Sequence, residues 1–327
     1  MKLRRRQFLH LAAGAAVLPA ISRFAMAQAY PTRPITIVDT FPPGGLSSIL
    51  ARILADKISG PLGQQVVVDQ RGGAAGTLGA RQVARSAPDG YTLMLGFTGT
   101  LAIAPSLYPD AGYDPRKDFA PIGMIGMAPT TLIANPAFPV HSIAELIVHA
   151  RQSPGKVNFG SPGVGTVGHI AGELLMSMSG IKLSHVPYRV SAQVLTDLLG
   201  GHVPLGFVPV PVSYESARNG LVRMLGVTSL KRSSLLPEVP TFAEQGLPGF
   251  EAVLRYGLVA PAGTPRSIIE RLNKELRAAL ASDDIRARFA IIGAEPLAST
   301  SEEYAAEIDR EETKWSTLVK ALGLKGE

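Results

Sequence analysis

The sequence predicts an α/β fold of mainly parallel sheets covered by helices, on three observations. Short continuous β-branched runs alternate with amphipathic stretches of helical spacing from Pro34 onward. A strand–glycine loop–helix unit occurs once in each half of the chain. None of the 327 residues is cysteine, so a chain that is 46% hydrophobic is held by its core alone. That absence also excludes disulfides, thiolate nucleophiles, iron–sulfur clusters and Cys-ligated zinc. The length allows two domains.

Residues 1–27 read as an export leader. Lys2, Arg4, Arg5 and Arg6 precede an apolar run from Phe8 to Ala20, and Ala25-Met26-Ala27 is an A-x-A-like cleavage site. The run is broken by Gly14 and ended by Pro19, too short for a permanent span of about 20 residues. Arg5-Arg6-Gln7-Phe8-Leu9 resembles a twin-arginine export signal; an ordinary secretory leader is the other reading. Five of the 32 Lys and Arg and none of the 26 acids lie in this segment, leaving 27 basic against 26 acidic residues. With that balance, 6% aromatics and no longer basic run than Lys231-Arg232, no nucleic-acid partner is expected.

The elements follow in order. Ile35 to Val38 is a strand, followed by a helix with Leu46, Ile49, Leu50, Ile53, Leu54 and Ile58 on one face. Val66 to Val68 and Tyr91 to Leu95 are strands, the latter entered through the turn Pro88-Asp89-Gly90. Apolar strands near Gly126 to Thr131 and Arg255 to Leu258 join the two blocks that carry the glycine loops. Ser142 with Glu145 forms a capping box, and Thr264-Pro265 supplies a cap and a first-turn proline. Further strands are Val157 to Phe159, Leu183 to Val186, Val203 to Phe207 and Val222 to Thr228. Thr300 with Glu303 caps a final helix whose stripe through Tyr304, Ile308, Trp315 and Val319 docks on the body.

The two recurring units carry the functional argument. Strand Ile35 to Asp39 enters Phe41-Pro42-Pro43-Gly44-Gly45 and a helix from Leu46; strand Val157 to Phe159 enters Ser161-Pro162-Gly163-Val164-Gly165-Thr166 and a second helix. Unpaired N–H groups and the positive end of a helix suit such a turn to an anion, and two facing turns would clamp a carboxylate. The plain alternative for either loop is a tight βα turn. Gly163, Gly165 and Gly168 also match G-x-G-x-x-G, so an exported NAD(P)-dependent oxidoreductase is the competing reading. It lacks the acid about 20 residues on that would hold a ribose, and Leu183 to Tyr188 offers none. No Walker lysine, no G-x-S-x-G elbow and no metal spacing among His141, His149, His169, His185 and His202 is present, so neither catalytic residues nor a metal or cofactor is expected. His169, in the first turns of the second loop's helix, either faces a ligand or is structural.

The ordered motifs resemble the extracytoplasmic solute receptors of tripartite tricarboxylate transporters, the Bug receptors, over essentially the whole chain after the leader. The likeness rests on Phe41-Pro42-Pro43-Gly44-Gly45, Gln70-Arg71-Gly72-Gly73-Ala74-Ala75-Gly76, Ala87-Pro88-Asp89-Gly90-Tyr91-Thr92-Leu93 and Tyr113-Asp114-Pro115. It continues through Phe159-Gly160-Ser161-Pro162-Gly163-Val164-Gly165, His185-Val186-Pro187-Tyr188, Asp197-Leu198-Leu199-Gly200-Gly201, Leu236-Pro237-Glu238-Val239-Pro240-Thr241 and Ala260-Pro261-Ala262-Gly263-Thr264-Pro265.

The resemblance implies a two-lobed periplasmic-binding-protein fold, type II-like, with two crossovers. Lobe 1 would comprise residues 28–128 and 257–327, and lobe 2 residues 129–256. It implies a monomeric, non-enzymatic periplasmic receptor that delivers a small mono- or dicarboxylate, aliphatic or aromatic, to membrane permease subunits. The ligand-binding residues carried over or read beside them are Phe41, Pro43, Gly44, Gly45, Leu46, Ser47, Ser48, Thr98, Thr100, Ser161, Gly163, Gly165, Thr166 and His169. Ser48 and Pro204 stand where the family usually has acids, and Gly72 and Val190 replace a usual Pro and Gly. The missing acids argue against an amino-acid ligand, because a buried ammonium needs a partner.

Overall fold

Two mixed sheets share one long strand. The computed structural model describes residues 30–108 and 110–326, and the leader read over residues 1–27 lies outside the described residues. In the first sheet β1 (Ile35–Asp39) runs parallel to β2 (Val66–Gln70) and β3 (Thr92–Phe97). Strand β9 (Val253–Pro261) then pairs antiparallel with β3 and with β4 (Phe119–Ala134), on which the two-residue β10 (Glu295–Pro296) also pairs. In the second sheet β5 (Asn158–Ser161) is parallel to β6 (Ser184–Pro187) and β7 (Leu205–Pro209), while β7 and β8 (Arg223–Val227) run antiparallel to β4.

The parallel trios follow the sequence pattern: Ile35, Ile37 and Val38 are inaccessible, so a continuous apolar run fits a strand covered on both faces. The antiparallel pairings come from the strands that join the blocks, since a strand arriving from the other sheet needs no helical crossover. Gly126 to Thr131 lies within β4, which changes partners there: Pro129 faces Val253 of β9, and Thr130 faces Pro209 of β7. Arg255 to Leu258 lies within β9.

Helices α1 (Leu46–Leu62), α2 (Thr77–Ala84) and α3 (Ala104–Leu107) follow β1, β2 and β3, with a π-turn at Gly99–Ile103 before α3. In the second block α4 (Ile143–Gln152) precedes β5, and α5 (Val167–Ser179), α6 (Ser191–Leu199) and α7 (Val210–Arg218) follow β5, β6 and β7. Helices α8 (Arg266–Leu280), α9 (Asp283–Ile291) and α10 (Ser301–Leu322) complete the chain. Among the described residues no helix is long and apolar enough to cross a membrane.

Three helix starts test the cap readings. Thr300 and Glu303 form the reciprocal box on α10. On α4 the Ser142 hydroxyl accepts from Glu145 N–H, but the Glu145 carboxylate accepts from His141 N–H, one residue outside the expected box. Thr264 does not cap α8, because its hydroxyl donates to the Pro261 carbonyl; Pro265 takes the cap position instead. Helix α10 serves both blocks. Tyr304 and Ile308 pack with Val38, Met94 and Val259, whereas Trp315 and Val319 join the core of Phe159 and Phe207.

Candidate functional site

A cavity of about 350 Å³ opens where both sheets, both glycine loops and the joining strands meet. Seven of the residues expected from sequence line it: Phe41, Pro43, Gly44, Gly45, Leu46, Ser47 and Thr166. The other seven, Ser48, Thr98, Thr100, Ser161, Gly163, Gly165 and His169, lie behind that lining. No lining residue is Lys, Arg, His, Asp or Glu.

The first loop is set by Asp39. This side chain ends the apolar strand β1 and is inaccessible. Its Oδ1 accepts from Phe41 N–H at 3.2 Å, and its Oδ2 from the Ser47 and Ser48 hydroxyls at 3.4 and 3.1 Å. Gln70 in turn donates to Ser48 Oγ at 2.7 Å. Burial raises the Asp39 pKa, and these hydrogen bonds oppose the rise. Both serine hydroxyl protons are thereby turned inward. What Ser47 offers the cavity is lone pairs, while the helix start offers N–H groups: Gly45 caps α1 without a side-chain bond, and no acid lies in the first turn. Gly44 has φ +85°, a left-handed turn that brings the chain into α1.

Thr98 and Thr100 brace this wall. Thr98 Oγ1 donates to Val253 C=O at 3.3 Å and accepts from Arg255 N–H at 3.0 Å, tying β3 to the start of β9. Thr100 Oγ1 lies 3.1 Å from Thr40 Oγ1 and donates to Ala75 C=O at 3.3 Å.

The second loop closes on itself. Thr166 Oγ1 donates to Gly163 C=O at 2.7 Å and accepts from His169 N–H, capping α5. Behind it His169 Nδ1 accepts from Gly165 N–H at 3.3 Å, so the ring proton sits on Nε2, 3.6 Å from Glu173 Oε1. The His169 and His185 rings stand 4.2 Å apart, and Ser161 Oγ is 2.7 Å from His185 Nε2. Burial lowers His169 to about 4; burial and then His169 lower His185 to about 3. Both imidazoles are neutral near pH 7, and burial raises the Glu173 carboxyl. Ser161 and His169 thus shape the loop from behind. Asp197 accepts from Tyr188 Oη at 3.0 Å and is committed there.

Sequence reasoning missed the third helix start and the floor. Val190, Ser191 and Ala192 at the start of α6 line the cavity, again with no side-chain cap and no first-turn acid. Thr130 of β4 and Leu254 and Tyr256 of β9 form its base, with Phe97 beside Tyr256. The Thr130 and Tyr256 hydroxyls have no hydrogen-bond partner among the described residues, although both residues are buried. Period-two alternation on β9 carried the missing signal: Leu254 and Tyr256 share a face and Arg255 takes the other. There Arg255 is held by Glu251, Glu307 and Glu311 at 2.9, 2.8 and 3.2 Å. The Arg255 Nη1 and Glu311 Oε1 atoms are close enough to pair as charges but misaligned for a hydrogen bond.

The model of the tripartite tricarboxylate transporter family receptor matches residues 50–324. Protein BugT of Bordetella pertussis is 37% identical over 300 residues, covering 91% of this chain and 92% of its own. Among solved structures, R. palustris Rpa4515 with adipate is 37% identical with a TM-score of 0.83, covering 90% of this chain and 99% of that one. The periplasmic binding protein BugD is 37% identical with a TM-score of 0.80, covering 91% and 100%. On the reach of these matches and the shared fold, the chain belongs to the receptor family of the tripartite tricarboxylate transporters.

Proposed function

We propose that this protein is an extracytoplasmic solute receptor that holds a small carboxylate in the cavity and delivers it to the permease subunits of a tripartite tricarboxylate transporter. The observation that carries this reading is the meeting of the α1, α5 and α6 starts on one cavity without a charged side chain. Backbone N–H groups and helix dipoles then supply the attraction for an anion, and apolar walls take the rest of the ligand. The family and the adipate held by Rpa4515 support the same ligand chemistry.

In this reading residues 1–27 direct export to the periplasm and are removed, and the mature chain acts as a monomer. Residues 28–128 with 257–327 form one lobe and 129–256 the other, closing about β4 and β9. No chemistry follows binding, because no side chain at the cavity is placed as nucleophile or base. Thermal denaturation of the mature chain with a panel of small carboxylates tests this. A ligand at 100 times its Kd stabilises by about 2.7 kcal/mol, which moves the midpoint visibly. A panel of mono-, di- and hydroxycarboxylates without any shift would contradict the reading.

A further inference from the structure

We propose, building on the receptor reading, that the cavity selects a carboxylate with one negative charge and an uncharged, apolar body over dicarboxylates. The attraction at the site is limited in amount. Each helix start carries roughly half an elementary charge, so α1, α5 and α6 together match one carboxylate and fall short of two. Asp39 lies directly behind the α1 start with its Oδ2 on the Ser47 and Ser48 hydroxyls, and its ionised form subtracts from that field. No cation makes up the difference. Arg255 sits between two floor residues in sequence, yet it projects from the opposite face of β9 and is engaged by three glutamates. His169 is neutral behind the second loop.

The walls give the complementary half of the argument. Phe41 and Phe97 meet edge to face with centroids 5.4 Å apart, and Phe207, Val190, Val212 and Leu254 add further apolar surface. A second carboxylate against these groups loses its water and gains no charged partner, whereas a hydrocarbon chain or aromatic ring gains contact there. Thr130 and Tyr256 supply two hydroxyls to the floor, enough to orient a neutral ligand atom and short of neutralising a charge.

Titration calorimetry on the mature protein with two matched pairs tests the proposal: hexanoate against adipate, and benzoate against terephthalate. The monocarboxylate of at least one pair is expected to bind ten-fold or more tighter than its diacid. Adipate and terephthalate binding as tightly as their partners, or tighter, would overturn the selectivity and leave the receptor reading intact. Absence of binding by all four, and by malate and citrate, would overturn both. Val212→Lys, checked for folding by its melting curve, places a cation on the apolar wall and is expected to raise the diacid-to-monoacid affinity ratio at least five-fold. An unchanged ratio in the folded variant would contradict the assignment.

Discussion

Asp39 and the two stacked histidines govern the site without touching the cavity. The Asp39 carboxylate organises Phe41 N–H and two serine hydroxyls, so Asp39→Asn swaps an acceptor for an amide NH2 that faces donors. Leaving a buried donor unpaired costs about 1–3 kcal/mol, and removal of the buried charge offsets part of this. We expect a net loss of about 1–2 kcal/mol at pH 7 with weakened ligand binding; denaturant unfolding and calorimetry that both matched wild type would contradict the role. Because burial raises the native Asp39 pKa, this group's stabilising contribution is present below its unfolded pKa and fades as pH rises through the folded one. His169 and His185 work in the other direction. Their native pKa values, about 4 and about 3, lie below the unfolded value near 6.5, so stability is full above pH 6.5 and falls on acidification. The slope is up to about 1.4 kcal/mol per pH unit for each imidazole. A His169→Gln, His185→Gln double variant should show a flatter decline between pH 6.5 and 5 in melting experiments, and equal slopes would mean that the rings are not held neutral.

At the level of elements, what could be read from sequence is what local pattern dictates. Continuous apolar runs such as Ile35 to Val38 and Val66 to Val68 became the parallel strands, and each glycine loop followed its strand into a helix. The hydroxyls were harder. Ser48, Thr100, Ser161 and Thr166 have the right chemistry to meet a ligand, but each finds a protein partner first, and that competition depends on neighbours distant in sequence, such as Asp39 for Ser48 and His185 for Ser161. The floor was hidden for a related reason. Which face of β9 meets the cavity is decided by its register with β3 and β4, which places Phe97 opposite Tyr256 and Ala128 opposite Leu254. One polar residue ending an apolar strand, Asp39, was a legible sign of a buried hub. The cap of α5 offers a test at this scale: Thr166→Ala should cost about 0.5–2 kcal/mol and loosen the turn from Gly163, while Thr166→Ser retains both bonds. Equal stability of all three proteins would remove the cap from the account.

Across the whole molecule, the joining strands and α10 decide how the blocks move. Strand β4 belongs to both sheets, Thr98 clasps the start of β9, and the Arg255 cluster fastens β9 to α10 at Glu307 and Glu311. On the cavity's flank Tyr108 Oη lies 3.5 Å from Val164 C=O, the edge of hydrogen-bond range, so the blocks also touch beyond those strands. Rotation about β4 and β9 would make and break that contact, and small-angle scattering should record a smaller radius of gyration with bound carboxylate than without. Identical curves from an open apo form would contradict closure. The account as a whole rests on an anion held by backbone N–H groups in a cavity that lacks charged side chains. Calorimetric comparison of hexanoate with hexanamide, equal in shape and differing in charge, measures that directly: the acid should bind and the amide should bind at least ten-fold more weakly, whereas equal affinities would contradict recognition of the anion.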